Sequence, residues 1–201
     1  MTVETVPPVP PAAGPGQDAT GRAVLVATLR LCRRTPAEPV DLAAIAAAAG
    51  VSEQDVRSRW PSAELVVLEA LKNEVAPALV FPDTGDFAAD LRAQLAAIAR
   101  VFGDPAIGPR LRLLATAAAR DPLLATAFRE RVFRPNRMLS GRRFAAAVQA
   151  GQVRADLDVD TAVDLAFGPL WFRLLLGTAP VSEPYAQAVA ELALSGLRPG
   201  G

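Results

Sequence analysis

The sequence contains no histidine and only one cysteine among its 201 residues. Histidine is the usual general base near neutral pH and a common nitrogen ligand of metals, so its absence excludes most hydrolase and metalloenzyme mechanisms. Cys32 has no second cysteine with which to form an internal disulfide, which indicates a reducing compartment. We therefore expect a protein that is not an enzyme, with no catalytic residue, no bound metal and no cofactor.

Aromatic residues are also scarce, at 5% of the chain, whereas hydrophobic residues reach 51%. Because Ala and Leu recur throughout, this composition suits helix-on-helix packing better than a sheet. Basic and acidic residues are equal in number, 21 each, so any binding to DNA must come from a local surface. No apolar stretch approaches the roughly 18 residues of a membrane span and no signal peptide opens the chain. We expect a soluble, cytoplasmic protein that makes no contact with a membrane.

Proline and glycine divide the chain into regions. Residues 1–20 include five prolines and almost no large apolar side chains, which predicts a disordered, Pro-rich tail. Helical periodicity begins at Gly21 and continues without strand-like alternation. The pattern predicts an all-α protein of about nine helices. We expect a DNA-binding domain over 21–80 and a C-terminal domain over 85–198.

Two short helices with a tight turn between them stand out in the N-terminal region. Asp41 is placed to cap a helix that ends at Gly50, and Ser52 with Asp55 forms a capping box at the start of the next. This spacing fits a helix-turn-helix over 41–60, in which the first helix braces the second against the major groove of DNA. An ordinary corner between two helices has the same spacing, so spacing alone leaves both interpretations open.

The segment DLAAIAAAAGVS (41–52), followed by WPSAEL (60–65), resembles the DNA-binding signature of the TetR family. Segments farther along the chain are similar to the C-terminal region of the same family; they lie at 121–124, 128–131, 151–158 and 168–173. The resemblance implies a three-helix DNA-binding domain followed by a helical bundle for ligand binding and dimerisation. It further implies a ligand-responsive repressor whose effector lowers its affinity for a palindromic double-stranded operator.

On this resemblance, the surface that faces DNA centres on the second helix of the motif. The candidate DNA-binding residues are Arg22, Ser52, Glu53, Gln54, Arg57, Ser58 and Arg59. Gln54 suits adenine, and Arg57 or Arg59 suits guanine. The family usually has Thr, Tyr and Lys where this chain has Asp55, Arg57 and Ala63, and the span 41–62 carries a formal charge of −1. An alternative is therefore a TetR-like module that binds a small molecule or a protein and has lost DNA binding.

By resemblance, the helices after residue 85 should enclose a pocket for a small, largely apolar effector of unknown identity. The candidate lining residues are Phe102, Arg112, Phe128, Phe133, Trp171 and Phe172. Arg112 and Arg173 lie on apolar segments and are candidates to meet an anionic group. Small and branched side chains on the last two helices predict a homodimer through a four-helix interface.

Overall fold

The computed structural model describes residues 16–198, a range that contains helices and no strand. The α-helices run in the following order: α1 (Ala19–Arg34), α2 (Leu42–Ala49), α3 (Glu53–Arg59), α4 (Ala63–Val75), α5 (Phe87–Gly103), α6 (Gly108–Ala118), α7 (Pro122–Phe128), α8 (Arg134–Gln149), α9 (Val159–Leu176) and α10 (Glu183–Leu197). A 3-10 turn over Ala76–Leu79 extends α4, and a π turn over Arg129–Phe133 joins α7 to α8. Because α7 and α8 form one continuous rod, the described chain has nine helical rods, and the predicted all-α class is confirmed.

The predicted helix ends of the DNA-binding motif are confirmed by their hydrogen bonds. Oδ1 of Asp41 accepts a bond from the N–H of Ala44 at 2.7 Å. Gly50 ends α2 with φ of +70°, a left-handed conformation that glycine adopts without the cost of a Cβ. Oγ of Ser52 accepts from the N–H of Asp55 while the Asp55 carboxylate accepts from the N–H of Ser52, which completes the capping box.

The first helix begins three residues before the expected position. Oδ1 of Asp18 accepts a hydrogen bond from the N–H of Gly21 at 2.6 Å, and this cap allows α1 to start at Ala19 instead of Arg22. The last two residues of the predicted tail are therefore helical. Residues 1–15 of that tail lie outside the described residues.

The N-terminal helices pack around one group of buried apolar side chains. α1 packs against α2 and α4, and α3 packs against α2. Val24, Ile45, Val56 and Trp60 are almost fully buried where these helices meet. This packing holds α3 rigidly on the outside of the domain, with one face on the core and the other facing solvent.

The C-terminal helices form a bundle in which α5 packs against α10 and α9 packs against α8 and α10. The π turn between α7 and α8 lies directly before Pro135. Proline has no N–H to donate to the carbonyl four residues earlier, and here the N–H of Arg134 bonds to the carbonyl oxygen of Arg129, one residue farther back than in an α-helix. No helix between residues 16 and 198 is long and apolar enough to cross a membrane.

Candidate functional site

The outer face of α3 is polar and exposed. Val56 and Trp60 turn into the core, whereas a contiguous set of side chains points to solvent. That exposed set is Ser52, Glu53, Gln54, Asp55, Arg57 and Ser58. The capping-box geometry turns the Asp55 carboxylate back onto the start of its own helix, with Oγ of Ser52 donating to it at 2.6 Å. The remaining exposed side chains lie on the helix that follows the turn of the motif, which is where a helix-turn-helix protein places its recognition helix.

One ion pair lies across this exposed surface. Nη2 of Arg57 is 2.5 Å from Oε1 of Glu53, one helical turn earlier. Both side chains are solvent-exposed, so the pair contributes little to stability. Its consequence is electrostatic, because the arginine nearest the centre of the surface is partly neutralised by its neighbour.

Two predicted DNA contacts lie beside the exposed face of α3 and not at its centre: Arg59 ends α3, and Arg22 lies in the first turn of α1. Nη1 of Arg59 is 2.7 Å from Oδ2 of Asp18, which ties the end of α3 to the N-cap of α1. A backbone hydrogen bond from Gly21 and the bond from Arg59 lower the pKa of Asp18. Arg22 is exposed and donates to the carbonyl oxygen of Gln17. These arginines lie beside the polar face of α3, where the Asp18 carboxylate partly neutralises Arg59.

Trp60, the residue directly after α3, is hydrogen-bonded to a side chain of α4. Its indole N–H donates to Oε2 of Glu69 at 2.9 Å. Nη1 of Arg131, in the π turn of the C-terminal bundle, lies 3.7 Å from the same oxygen. The end of the recognition helix is therefore linked through one carboxylate to the C-terminal domain.

A second link between the domains is the buried guanidinium of Arg110 on α6. Its Nη1 and Nη2 donate to the carbonyl oxygens of Glu38 and Thr35, just beyond the C-terminal end of α1. The negative end of the α1 dipole compensates part of this buried positive charge. Arg110 thus fixes α6 against the loop between α1 and α2.

An apolar cavity of about 370 Å³ lies inside the C-terminal bundle. Its volume is at the low end of the range for small-molecule sites. Val75 and Leu79, at the end of α4 and in the 3-10 turn, form part of its wall. The other lining residues come from α5, α6, the π turn, α8, α9 and the segment before α5; they include Phe81, Gln94, Ile98, Val101, Phe102, Leu111, Val132, Phe133, Ser140, Val163, Phe167 and Trp171.

The structure brings together four of the six predicted pocket residues. Phe102 and Phe133 pack on Trp171 with ring centroids 4.7 and 4.9 Å away, and all three line the cavity. Phe128 lies behind this wall, 5.3 Å from Phe133 and 6.3 Å from Trp171. These contacts place one aromatic cluster on one side of the cavity.

The other two predicted pocket residues lie away from the cavity. Arg112 is exposed on α6 beside Gly177, and Phe172 is 55% exposed on the outer face of α9. Arg173, also a candidate partner of an anion, lies over the ring of Tyr185 with its guanidinium carbon 3.2 Å from the centroid. Helical periodicity identifies apolar residues but does not tell which of two neighbouring faces points inward.

Sequence reasoning missed the two buried polar residues of the cavity wall, Gln94 and Ser140. A signal for Gln94 was present, because this amide falls on the apolar stripe of α5 between Leu91 and Ile98. A polar side chain on a buried stripe needs a hydrogen-bond partner. That requirement could have marked Gln94 as a candidate before the fold was known.

An exposed apolar face lies on the last two helices. Leu165, Phe172 and Leu176 are spaced at i, i+7 and i+11 on α9, and each is more than half exposed. Leu192 on α10 is 74% exposed. Four large apolar side chains on two adjacent helices form a surface that water solvates poorly.

Comparison with known proteins identifies the family. Residues 81–193 match the family model described as the tetracyclin repressor-like C-terminal domain. The crystal structure of the TetR family transcription regulator SCO0332 is similar to this chain, with a TM-score of 0.79 and 34% identity, covering 90% of this chain and all of that one.

Curated relatives of the chain are helix-turn-helix regulators. The uncharacterized HTH-type transcriptional regulator YdeS of Bacillus subtilis (strain 168) is 27% identical over 184 residues, which cover 92% of each chain. The uncharacterized HTH-type transcriptional regulator Rv1556 of Mycobacterium tuberculosis (strain ATCC 25618 / H37Rv) is also 27% identical, over 84% of this chain and 82% of its own length. Together with the polar recognition helix and the bundle behind it, these matches show that the chain belongs to the TetR family of DNA-binding transcriptional regulators.

Proposed function

We propose that this regulator is a homodimeric repressor that leaves its operator when a small molecule fills the cavity of the C-terminal bundle. One observation carries the proposal: the cavity wall includes Val75 and Leu79, which lie at the far end of the helix that follows the recognition helix. A ligand that contacts these residues acts on the same rod that positions Trp60 and α3. Ligand binding and operator binding are therefore mechanically connected.

The π turn supplies a second connection between the cavity and the recognition helix. Val132 and Phe133 line the cavity, and Arg131 between them and α7 faces Glu69, the hydrogen-bond acceptor of Trp60. A ligand that displaces Phe133 would also shift Arg131 relative to Glu69. For such a shift to release DNA, the ligand must bind the released state more tightly than the DNA-bound state.

The exposed apolar face of α9 and α10 supports the proposed dimer. In a twofold assembly, Leu165, Phe172, Leu176 and Leu192 of one protomer would pack against the same residues of its partner as a four-helix interface. Two recognition helices about 34 Å apart then match successive major grooves of a palindromic operator. In each half-site, Gln54 and Arg57 are the candidate readers of the bases.

The test is binding of the purified protein to DNA fragments that flank its own gene, at low and at physiological salt. We expect a complex that resists competitor DNA and that the double variant Gln54→Ala, Arg57→Ala abolishes. Arg142→Ala, which removes an exposed arginine from α8, is the matched control and should bind like the unmodified protein. Release of the complex by a small molecule would support the ligand-responsive part of the proposal.

A second candidate function is a binding module of the same fold that no longer recognises an operator. The observation that favours it is the Glu53–Arg57 ion pair, which withholds a cation from the surface that must meet phosphates. In that case neither the flanking DNA nor heparin would retain the protein, even at low salt. Retention on heparin with a steep salt dependence would exclude this alternative.

A further inference from the structure

One polar atom in the wall of the cavity has no hydrogen-bond partner. Oε1 of Gln94 is buried and meets no donor among residues 16–198, and the side chain as a whole is only 5% exposed. Leaving an amide oxygen without a donor in an apolar site is costly, because the atom has given up its bonds to water. Gln94 lines the cavity, which makes a molecule bound there the candidate donor.

The orientation of this amide follows from its other hydrogen bond. Nε2 of Gln94 donates to the carbonyl oxygen of Leu79 at 3.2 Å. A carbonyl oxygen can only accept, so the reversed orientation would place two oxygens against each other and would lose the bond. The nitrogen therefore faces Leu79, and the oxygen is left as an acceptor.

The rest of the wall defines the body of the ligand. Phe102, Phe133 and Trp171 form one side, and Phe81 and Phe167 meet edge to face on the wall with their centroids 6.4 Å apart. Such rings favour an aromatic partner, which packs offset or edge-on against them. The cavity thus offers an aromatic surface and, in Oε1 of Gln94, a buried acceptor that has no partner among residues 16–198.

The charged residues of the lining argue against an ionic ligand. Arg137 and Asp164, the two charged residues of the wall, form an ion pair with each other at the exposed rim. Asp160 also lies 3.2 Å from Arg137. The guanidinium is therefore already matched by carboxylates, and no buried charge of the wall is left to receive a carboxylate or an ammonium group.

We infer that the cavity binds a neutral aromatic molecule with one hydrogen-bond donor, such as a phenolic hydroxyl, which donates to Oε1 of Gln94. The inference deepens the proposed function, on which it rests, by naming the chemical class of the effector. The amide of Gln94 is hydrogen-bonded to Leu79 in the 3-10 turn that extends α4. The ligand would therefore donate its hydrogen bond at the point where the cavity meets the DNA-binding domain. Apolar molecules of the same size would fill the cavity without satisfying Gln94.

The experiment compares 2-naphthol with 2-methylnaphthalene, which has nearly the same shape and no donor. Binding to the full-length protein is measured by calorimetry, and quenching of Trp171, which lines the cavity, reports its occupancy. We expect 2-naphthol to bind about tenfold more tightly or better, since it satisfies a buried acceptor. Gln94→Met, which keeps the length of the side chain, should abolish the preference and retain binding of 2-methylnaphthalene, which also shows that the variant is folded.

Gln149→Met is the matched control, because it makes the same change at an exposed glutamine of α8 that does not line the cavity and should leave the preference intact. The inference is overturned if the unmodified protein binds the two naphthalenes equally or binds neither. It is also overturned if Gln94→Met keeps the preference, or if 2-naphthoate binds more tightly than 2-naphthol. If 2-naphthol binds as expected but leaves DNA affinity unchanged, the ligand assignment stands and the proposed release mechanism fails.

Discussion

The indole N–H of Trp60 and the carboxylate of Glu69 are joined by a 2.9 Å hydrogen bond beneath the recognition helix. Trp60 is 1% exposed and Glu69 is 9% exposed, so water cannot replace either partner. Glu69 also faces Arg131 of the C-terminal bundle. This one carboxylate therefore supports the DNA-binding domain internally and connects it to the C-terminal bundle.

Replacing Glu69 should destabilise the protein. Glu69→Leu leaves the Trp60 N–H buried without an acceptor, and we expect the free energy of unfolding to fall by about 1–3 kcal/mol. Glu69→Gln keeps an oxygen acceptor for Trp60 and should lose less. The measurement is urea denaturation followed by tryptophan fluorescence at one fixed protein concentration, because the proposed dimerisation would make stability depend on concentration. Equal losses for the two variants would contradict the role given to this hydrogen bond.

Neutralising Glu53 should strengthen DNA binding. Glu53→Gln releases Arg57 from its ion pair and removes a negative charge from the surface that faces phosphates. We expect tighter binding to non-specific duplex DNA, with a logarithmic salt slope steeper by about 0.9 for each additional phosphate that the protein neutralises. Glu183→Gln, which removes an exposed carboxylate at the start of α10, is the control. The prediction fails if both variants bind DNA like the unmodified protein.

Asp90 should make stability depend on pH at the acid end. Burial by itself would raise the pKa of Asp90, but hydrogen bonds from Thr84 and Arg143 outweigh burial and lower it. An aspartate whose pKa is lowered by folding stabilises the folded protein at every pH above its pKa in the unfolded chain, which is about 4. This stabilisation is lost as the pH falls through the pKa of the folded state. We therefore expect the free energy of unfolding to drop below about pH 4.

Asp90→Asn tests this assignment, and Asp83→Asn is the comparison because Asp83 pairs with the same arginine, Arg143. Nη2 of Arg143 is 2.9 Å from Oδ2 of Asp90, which is almost fully buried, and Nη1 is 2.7 Å from Oδ1 of Asp83, which is largely exposed. Breaking the buried pair should lower the free energy of unfolding by about 3 kcal/mol at pH 7 and should reduce its further drop at acid pH. Asp83→Asn should change the free energy of unfolding by less than about 1 kcal/mol. Urea denaturation at pH 7 and pH 3 would show the difference, and similar losses for both variants would refute it.

The apolar face of α9 and α10 should control the oligomeric state. The double variant Phe172→Glu, Leu192→Glu places carboxylates in the proposed interface, and we expect sedimentation as a monomer and loss of operator binding. Leu123→Glu changes an equally exposed leucine on α7 and should leave the dimer intact. A double variant that still sediments as a dimer would place the interface elsewhere.

Local interactions explain which features could be predicted from the sequence. The caps at Asp41 and Ser52 were predicted and are confirmed, because a cap depends only on residues two or three positions apart. The same holds for the left-handed glycine Gly50 that ends α2. Since the helix ends determine the length of the turn, the helix-turn-helix spacing could also be predicted from the sequence.

The tertiary structure decided how the helical faces are used. Phe102 and Phe172 both lie on apolar helices, yet Phe102 lines the cavity and Phe172 lies on the outer surface. The helical repeat predicts an apolar stripe on each helix, but it does not predict which neighbouring element covers that stripe. Arg110 is buried against carbonyl groups more than 70 residues away in the chain, a partnership that no local pattern specifies. The sequence by itself thus determined the helices, their ends and the recognition motif, whereas packing over long sequence separations decided the cavity, its unpaired amide and the links between the domains.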